Sequence, residues 1–439
     1  MKNRIAYFHY YFKYHKRQCI SAWINLALLL IMLCTDLPAA LQPIIHDSRG
    51  LQIANIAAFL FILFNLVWSI IDGFLLELIE LHRINVRIHP SIDYIEKLHP
   101  GNGEFREKAA ANHAFYKPAL NALLIQKTDL SYTEDKEATK TISIFIRNYS
   151  EILFKFLRQK YRDTQARKKM FFNEQKLCLT YDPDDNLNFS TPFTVHRGSY
   201  YDTFLTNICS TKKLMSSDTN KLLYDGWNHF PKAHDELLPL ELSRMNNEIG
   251  ISTLAFTDDH HVVLWESNDE TQTESGLLVP SGSGSADWKD RKHGSTFHDI
   301  IAYSMERELI EENTLAPYIR THGKSTDTRL IGYWRWLEKG GKPEFCGITR
   351  LHCRIGDVHV NHKELTERRD GKHYKITSPN IAGIQQFIKE TRQSPNICLP
   401  LYMNLLFLQD YILGTDLPEE KRELSCKERL DFLFGDNRS

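Results

Sequence analysis

"MERELIEENTL", Met305 to Leu315, sets five charged side chains into three helical turns. Residues three and four apart share a helix face, so Glu308, Glu311 and Glu312 point the same way. Three crowded carboxylates repel one another unless a cation sits between them. Oxygen-only ligands suit Mg²⁺ or Mn²⁺, with waters and substrate phosphates completing the octahedron. Such an ion stabilises charge on a diphosphate and activates water for attack on phosphorus. Arg307 can brace one carboxylate by a bidentate pair. Taken alone, the stretch reads more readily as a solvated face, because Glu is a good helix former. What precedes it changes the balance.

Upstream, "SGLLVPSGSGSADW" (275–288) reads as a strand running into a Gly/Ser loop, followed by a helix from about Phe297 to Glu312. The helix start then lies at a sheet edge, where ligands approach. "IGISTLAF" and "HHVVLWES" flank "TDD" and predict a β-hairpin over 249–267. "RLIGYWRWLEK" and "PEFCGITRLHCRI" predict a second hairpin, joined at Gly340 and Gly341. Helices near 379–391 and 399–413 close the region. This order predicts an α+β chain with a layered α/β/α domain.

At this point the residues resemble the Nudix family. Its box runs Gly, five residues, Glu, seven residues, then Arg-Glu-aliphatic-x-Glu-Glu-x-Gly-aliphatic. Arg307, Glu308, Leu309, Glu311, Glu312 and Leu315 match in register, and Asp299 stands where the box has its first Glu. His293 replaces the first glycine, with Gly294 one place late, and Thr314 replaces the later one. Glycine adopts left-handed backbone at little cost, so these departures bear on the loops and leave the ligands in place. The resemblance covers about residues 194–415. It implies a Nudix-like α/β/α sandwich, a Mg or Mn ion on Glu308, Glu311 and Glu312, a catalytic role for Glu312, and structural roles for Arg307 and Asp299.

The amino-terminal part has a different character. "ISAWINLALLLIMLC" (20–34) continues to Leu41, and "LQIANIAAFLFILFNLVWSII" fills 51–71. Each is near the roughly 20 residues that cross a bilayer as a helix. Lys2, Arg4, Lys13, Lys16 and Arg17 precede the first run, and Arg83 and Arg87 follow the second. The positive-inside rule then places both ends in the cytoplasm, with Trp23 and Trp68 at the inner interface. A signal peptide or two buried core helices are the alternatives. The expected organisation is a membrane hairpin (1–82, spans about 20–41 and 51–71), a helical connector (83–190), the Nudix-like domain (191–415) and a carboxy-terminal tail (416–439). Ile142, Phe145, Ile146, Tyr149, Ile152, Leu153, Phe156 and Leu157 form one apolar helical stripe in the connector.

This layout, with "VPSGSGSADW" and "RELIEE", is similar to the SMODS-associated Nudix effectors of bacterial cyclic-oligonucleotide anti-phage systems (CBASS). That resemblance implies a multi-pass inner-membrane protein with its Nudix-like domain in the cytoplasm. The domain would bind a cyclic nucleotide second messenger, and the helices would assemble as a homo-oligomer among inner-membrane lipids and disrupt that membrane. The rival expectation is a Mg-dependent Nudix hydrolase of a nucleoside diphosphate derivative, anchored at the membrane. No ligand-contact residue follows from either.

Over 439 residues the composition is 42% hydrophobic and 25% charged, that of a folded protein of two or three domains. A formal net charge of −1 gives no basic field for bulk nucleic-acid binding. The eight cysteines form no C-x-x-C pair, which fits a reducing compartment. Three further motifs read more simply as structure. "GSGS" (282–285) lacks the Lys-Ser/Thr ending of a phosphate loop. "HRGSYYDTFLTN" (196–207) fits a strand edge with Tyr in the core. "DDHH" (258–261) fits a turn. Ser281 has no nucleophile-elbow setting.

Overall fold

Every residue of Gly250–Thr257 is buried, the pattern of a strand covered on both faces. In the computed structural model it lies inside an eight-stranded mixed sheet. In chain order the strands are β1 (Glu104–Ala109), β2 (Asn112–Tyr116), β3 (Gly250–Thr257), β4 (His261–Val262), β5 (Gly282–Ser285), β6 (Thr326–Trp336), β7 (Lys342–Leu351) and β8 (Tyr374–Lys375). Their spatial order is β8-β4-β3-β7-β6-β2-β1, with β5 pairing β3. β3 and β7 run parallel, from Gly250 beside Glu344 to Thr257 beside Leu351. β6 and β7 form the antiparallel hairpin expected at Gly340 and Gly341, whose φ values of 64° and 68° suit glycine. The structure describes residues 2–14, 86–91, 104–109, 112–166, 173–183, 192–267, 276–362, 365–366, 373–415 and 417–435, with Phe171 and isolated positions between 60 and 98.

The hairpin expected over 249–267 is cut short. β4 pairs β3 only at Phe256 and Val262, and Trp265–Ser267 turns away to pair Leu278–Val279 and Leu365–Thr366. Ser281 fills the gap, donating to the Val263 carbonyl at 2.6 Å and accepting from the Ala255 N–H at 2.7 Å. The Val263 N–H still donates to the Ala255 carbonyl at 3.0 Å, so the Ser281 hydroxyl replaces the return bond of that pair and the buried groups stay satisfied.

The main helices are α1 (Lys2–Tyr14), α2 (Pro118–Gln126), α3 (Lys136–Asn148), α4 (Ser150–Ala166), α5 (Phe297–Glu312), α6 (Ile381–Arg392), α7 (Leu399–Leu413) and α8 (Glu419–Phe434). Alternate strand residues face opposite sides. Ile251, Leu330, Tyr333 and Phe345 pack with Phe297, Ile300, Ile301 and Met305 of α5. Leu254, Phe256, Trp334 and Ile348 pack with Leu401, Leu405, Phe407 and Leu408 of α7. The sheet therefore lies between α5 and α7. The single stripe expected across the connector resolves into two helices, α3 and α4, which break at Tyr149.

Two expectations are corrected here. Among the described residues no helix is long and apolar enough to cross a membrane, so neither the pair of transmembrane helices nor the multi-pass inner-membrane placement stands. The stretches that suggested them, about 20–41 and 51–71, lie outside the described residues except at Leu60, Leu63, Phe64, Val67 and Trp68. The amino-terminal helix that is described has 13 residues, short of the roughly 20 a crossing needs. Its aromatic side chains are covered by protein. Tyr7, Tyr10, Tyr11 and Tyr14 are buried with Phe154, Phe156 and Tyr201, and Tyr7 stacks on Tyr161 at 4.4 Å. What the described chain builds is an α+β fold.

Candidate functional site

α5 starts where the sequence expected. The Thr296 hydroxyl accepts from the Asp299 N–H at 3.1 Å, and the Asp299 carboxylate accepts from the Thr296 N–H at 3.1 Å. This capping box satisfies two orphan donors at once. Burial works to raise the Asp299 carboxyl, yet these hydrogen bonds hold it below its ordinary value. Asp299 is thus a cap, two turns away from the charged end of the helix.

β5 crosses that charged end closely. A Cβ on Gly282 would lie 2.7 Å from Leu309 Cα, and one on Gly284 would lie 2.5 Å from the Glu308 carboxyl carbon. At Gly282, where the neighbour is helix backbone, only glycine lets strand and helix approach this far. The three glutamates then part ways. Glu312 is buried at 5% exposure and its Oε2 accepts from the Ser283 N–H at 3.1 Å. Glu308 lies against Gly284 and accepts from Arg307 Nη1 at 2.8 Å. Glu311 reaches outward, its side chain 59% exposed, with Oε2 3.6 Å from the same nitrogen.

Arg307 is the hub. Its Nε and Nη2 donate to the fully buried Asp290 carboxylate, its Nη2 also to the Ser285 carbonyl at 3.0 Å. Ser304 adds a hydroxyl donor to Asp290 at 2.9 Å. Lys176 donates to the buried Asp287 at 2.7 Å, and Lys289 approaches it at 3.1 Å. Burial tends to raise the Asp287 carboxyl, but Lys176 and Arg307 hold it below the usual carboxylate range. Glu308 behaves oppositely: burial pushes its carboxyl up to about 7, against the pull of Arg307 and Lys176. It titrates where a general base is most effective.

Behind β5 the buried Glu248 accepts from Ser285 Oγ and, at 2.9 Å, from Thr203 Oγ1. Asn246 joins Thr203 to the Ser199 carbonyl, and Ser199 donates to Asp202 at 2.6 Å. Asp202 in turn accepts from Tyr10 at 2.7 Å. A continuous hydrogen-bonded chain therefore links the strand at the site to α1.

At the helix end, Asn313 donates to the Ser281 carbonyl at 2.7 Å and accepts from Trp265 Nε1 at 2.6 Å. Thr314, at the place of the box's glycine, holds φ at 53°. The left-handed turn is kept without the residue that makes it cheap. The loop at 359–361 is tied to the same end, the Asn361 N–H donating to the Glu312 carbonyl at 2.8 Å.

Do these residues fit the expected Mg or Mn? Among the described residues no three acidic, His or Cys side chains converge as a metal cage. Glu312 has one oxygen committed to Ser283, so the three do not act as equals. The donor chemistry still fits a hard cation, because Mg²⁺ is commonly held by one or two carboxylates while waters and phosphates supply the rest. Glu308 lies at the edge at Gly284, which is exposed, and Glu311 follows it on the helix, 3.6 Å from the same Arg307 nitrogen. Asp287 and Asp290 adjoin the Gly/Ser strand in the sequence, so "ADWKD" was a usable signal. Lys176 and Glu248 carry none, since they lie 111 and 37 residues from their partners.

No protein-family profile matches the chain. No curated protein matches it either. Solved structures resemble part of it. The protein DR0079 from Deinococcus radiodurans is 11% identical with a TM-score of 0.25, covering 37% of this chain and 83% of its own. The MutT protein from Methanosarcina mazei Go1 is 12% identical with a TM-score of 0.24, covering 37% of this chain and 94% of its own. These structural neighbours are Nudix/MutT-like proteins.

Proposed function

We propose that the corner between α5 and β5 binds the diphosphate of a nucleotide derivative through a divalent cation and hydrolyses it. The observation that carries this is Glu308, a carboxyl held near neutrality against the open Gly284 edge. A buried carboxyl kept part-protonated gains from a neighbouring positive charge. Glu308 and Glu311 would hold Mg²⁺ or Mn²⁺, which supplies charge neutralisation for the diphosphate. Arg307 keeps both carboxylates at this edge. Glu312 anchors the strand at Ser283.

The test is Mn²⁺ binding by calorimetry, with hydrolysis of ADP-ribose followed by AMP release. Glu308→Gln and Glu311→Gln should each weaken Mn²⁺ binding and stop AMP release. Unchanged Mn²⁺ affinity in both variants would return α5 to a solvated face.

A second reading is favoured by the hydrogen-bonded chain from Ser285 to Tyr10. Here the domain senses a cyclic nucleotide second messenger and reports occupancy to α1. Tight binding of a cyclic dinucleotide without turnover, with a change in amide exchange across residues 2–14, supports it. Turnover of ADP-ribose with no such change sinks it.

A further inference from the structure

α6 and α7 pack together on the side of the sheet away from α5. Between them lies a cavity of about 300 Å³, lined by Gln385, Ile388, Lys389, Arg392, Gln393 and Gln409. Ile388 is buried and joins the core, so it fixes an apolar floor. The rest of the wall is polar. Gln385, Lys389 and Arg392 succeed each other at intervals of four and three residues, so they share one face of α6 over about 10 Å at 1.5 Å per residue. Gln409 meets them from α7.

This wall carries two cations and no carboxylate. The nearest acid in sequence, Glu390, is turned elsewhere, accepting from Gln386 at 2.9 Å and from the Tyr374 hydroxyl. Among the described residues neither Lys389 nor Arg392 is held in an ion pair, and the side chains of Gln385, Gln393 and Gln409 are not hydrogen-bonded to protein. Arg392 is nonetheless fixed in place. Its Nη2 donates to the Tyr402 hydroxyl at 2.9 Å, and its guanidinium stands 4.8 Å from the centre of that ring. Tyr402 belongs to the first turn of α7, whereas Lys389 stands one turn earlier on α6. The cavity thus presents two single positive charges at separate points, with uncommitted amides around them.

We infer that this cavity is a binding site for a small dicarboxylate, with one carboxylate on Arg392, the other on Lys389 and the carbon chain over Ile388. The planar guanidinium matches a carboxylate, and an ammonium supplies a point charge to the second. The carboxamides satisfy the remaining oxygens. A single phosphate would need both cations at one centre. The volume is at the low end of the roughly 300–1,000 Å³ of small-molecule sites, which suits a ligand of this size. The sheet separates this cavity from the α5–β5 corner, so the inference needs neither the cation nor the diphosphate proposed there.

The experiment is calorimetric titration of the full chain in EDTA, which keeps divalent cations out of the other corner. The probes are succinate, glutarate, butyrate and inorganic phosphate. Succinate or glutarate should bind at least tenfold more tightly than butyrate, which has one carboxylate, and than phosphate. Arg392→Gln and Lys389→Gln should each weaken the dicarboxylate about tenfold, the loss of one charge-assisted hydrogen bond. Lys389 is exposed, so its variant should melt as wild type does and separates lost binding from lost folding. Glu308→Gln should bind the dicarboxylate unchanged. Binding of neither dicarboxylate overturns the inference. Butyrate binding as tightly would show that one cation is enough, and phosphate binding as tightly would show that the charges converge; either removes the dicarboxylate. Dicarboxylate affinity unchanged in both the Arg392 and Lys389 variants places the ligand elsewhere and removes the site.

Discussion

Arg307 and Asp290 are joined by hydrogen bonds from both Nε and Nη2, the closest at 3.0 Å, and the Asp290 side chain is completely buried. Two charges this far from water are costly to separate, because removing one leaves the other uncompensated. Arg307→Ala should therefore lose roughly 3–5 kcal/mol of unfolding free energy, read from urea denaturation. Arg307→Lys should recover little of it, since an ammonium cannot reproduce the fork that serves Asp290, Ser285 and Glu308 together. Full recovery by lysine would show that only net charge matters here.

Glu308 gives a pH signature. Its folded-state carboxyl is raised to about 7, so between the unfolded value near about 4.3 and about 7 the native state binds more protons than the unfolded one. Stability then falls as pH rises through that window. Glu308→Gln removes the penalty, so it should be the more stable protein above about pH 7 and lose that advantage below about pH 4. Thermal melts across this range provide the check. A divalent cation should raise the wild-type midpoint at the alkaline end and much less at the acid end.

Gly282 and Gly284 look alike in sequence and should respond differently to alanine. At Gly282 the added methyl meets the α5 backbone at Leu309, which cannot yield, so Gly282→Ala should cost about 1–3 kcal/mol. At Gly284 it meets the end of the Glu308 side chain, which can swing away. Gly284→Ala should stay folded with near wild-type melting but bind Mn²⁺ more weakly. Comparable melting losses in both variants would contradict the packing described at β5.

Thr314 should be improvable. A β-branched residue at φ 53° bears a left-handed backbone penalty of about 1–2 kcal/mol, while glycine costs about 0.5–1 kcal/mol in chain entropy. Thr314→Gly should thus raise stability by up to about 1 kcal/mol, seen as a higher thermal midpoint. A lower midpoint would mean that contacts of the threonine side chain outweigh its backbone.

Where the determinants are local, the sequence was legible. Thr296 and Asp299 are three residues apart and close the capping box by themselves, so the expected Phe297–Glu312 helix is the helix found. Gly340 and Gly341 needed only their own backbone freedom to mark the β6–β7 turn. The hairpin over 249–267 is cut short for a non-local reason: Ser281, just ahead of β5, bridges the Ala255 N–H and the Val263 carbonyl that the ladder would have joined directly. The apolar runs at 20–41 and 51–71 lie almost wholly outside the described residues, and the burial of the neighbouring α1 depends on Phe154 and Tyr201, far away in sequence. The glutamates show both sides. Helical spacing determined that Glu308, Glu311 and Glu312 share a face. Only the packing of β5 across that face decided that Glu312 is buried against Ser283, Glu308 is held near neutrality beside Gly284, and Glu311 stays in solvent, because burial and hydrogen-bond partners are properties of what a helix packs against and not of its own repeat.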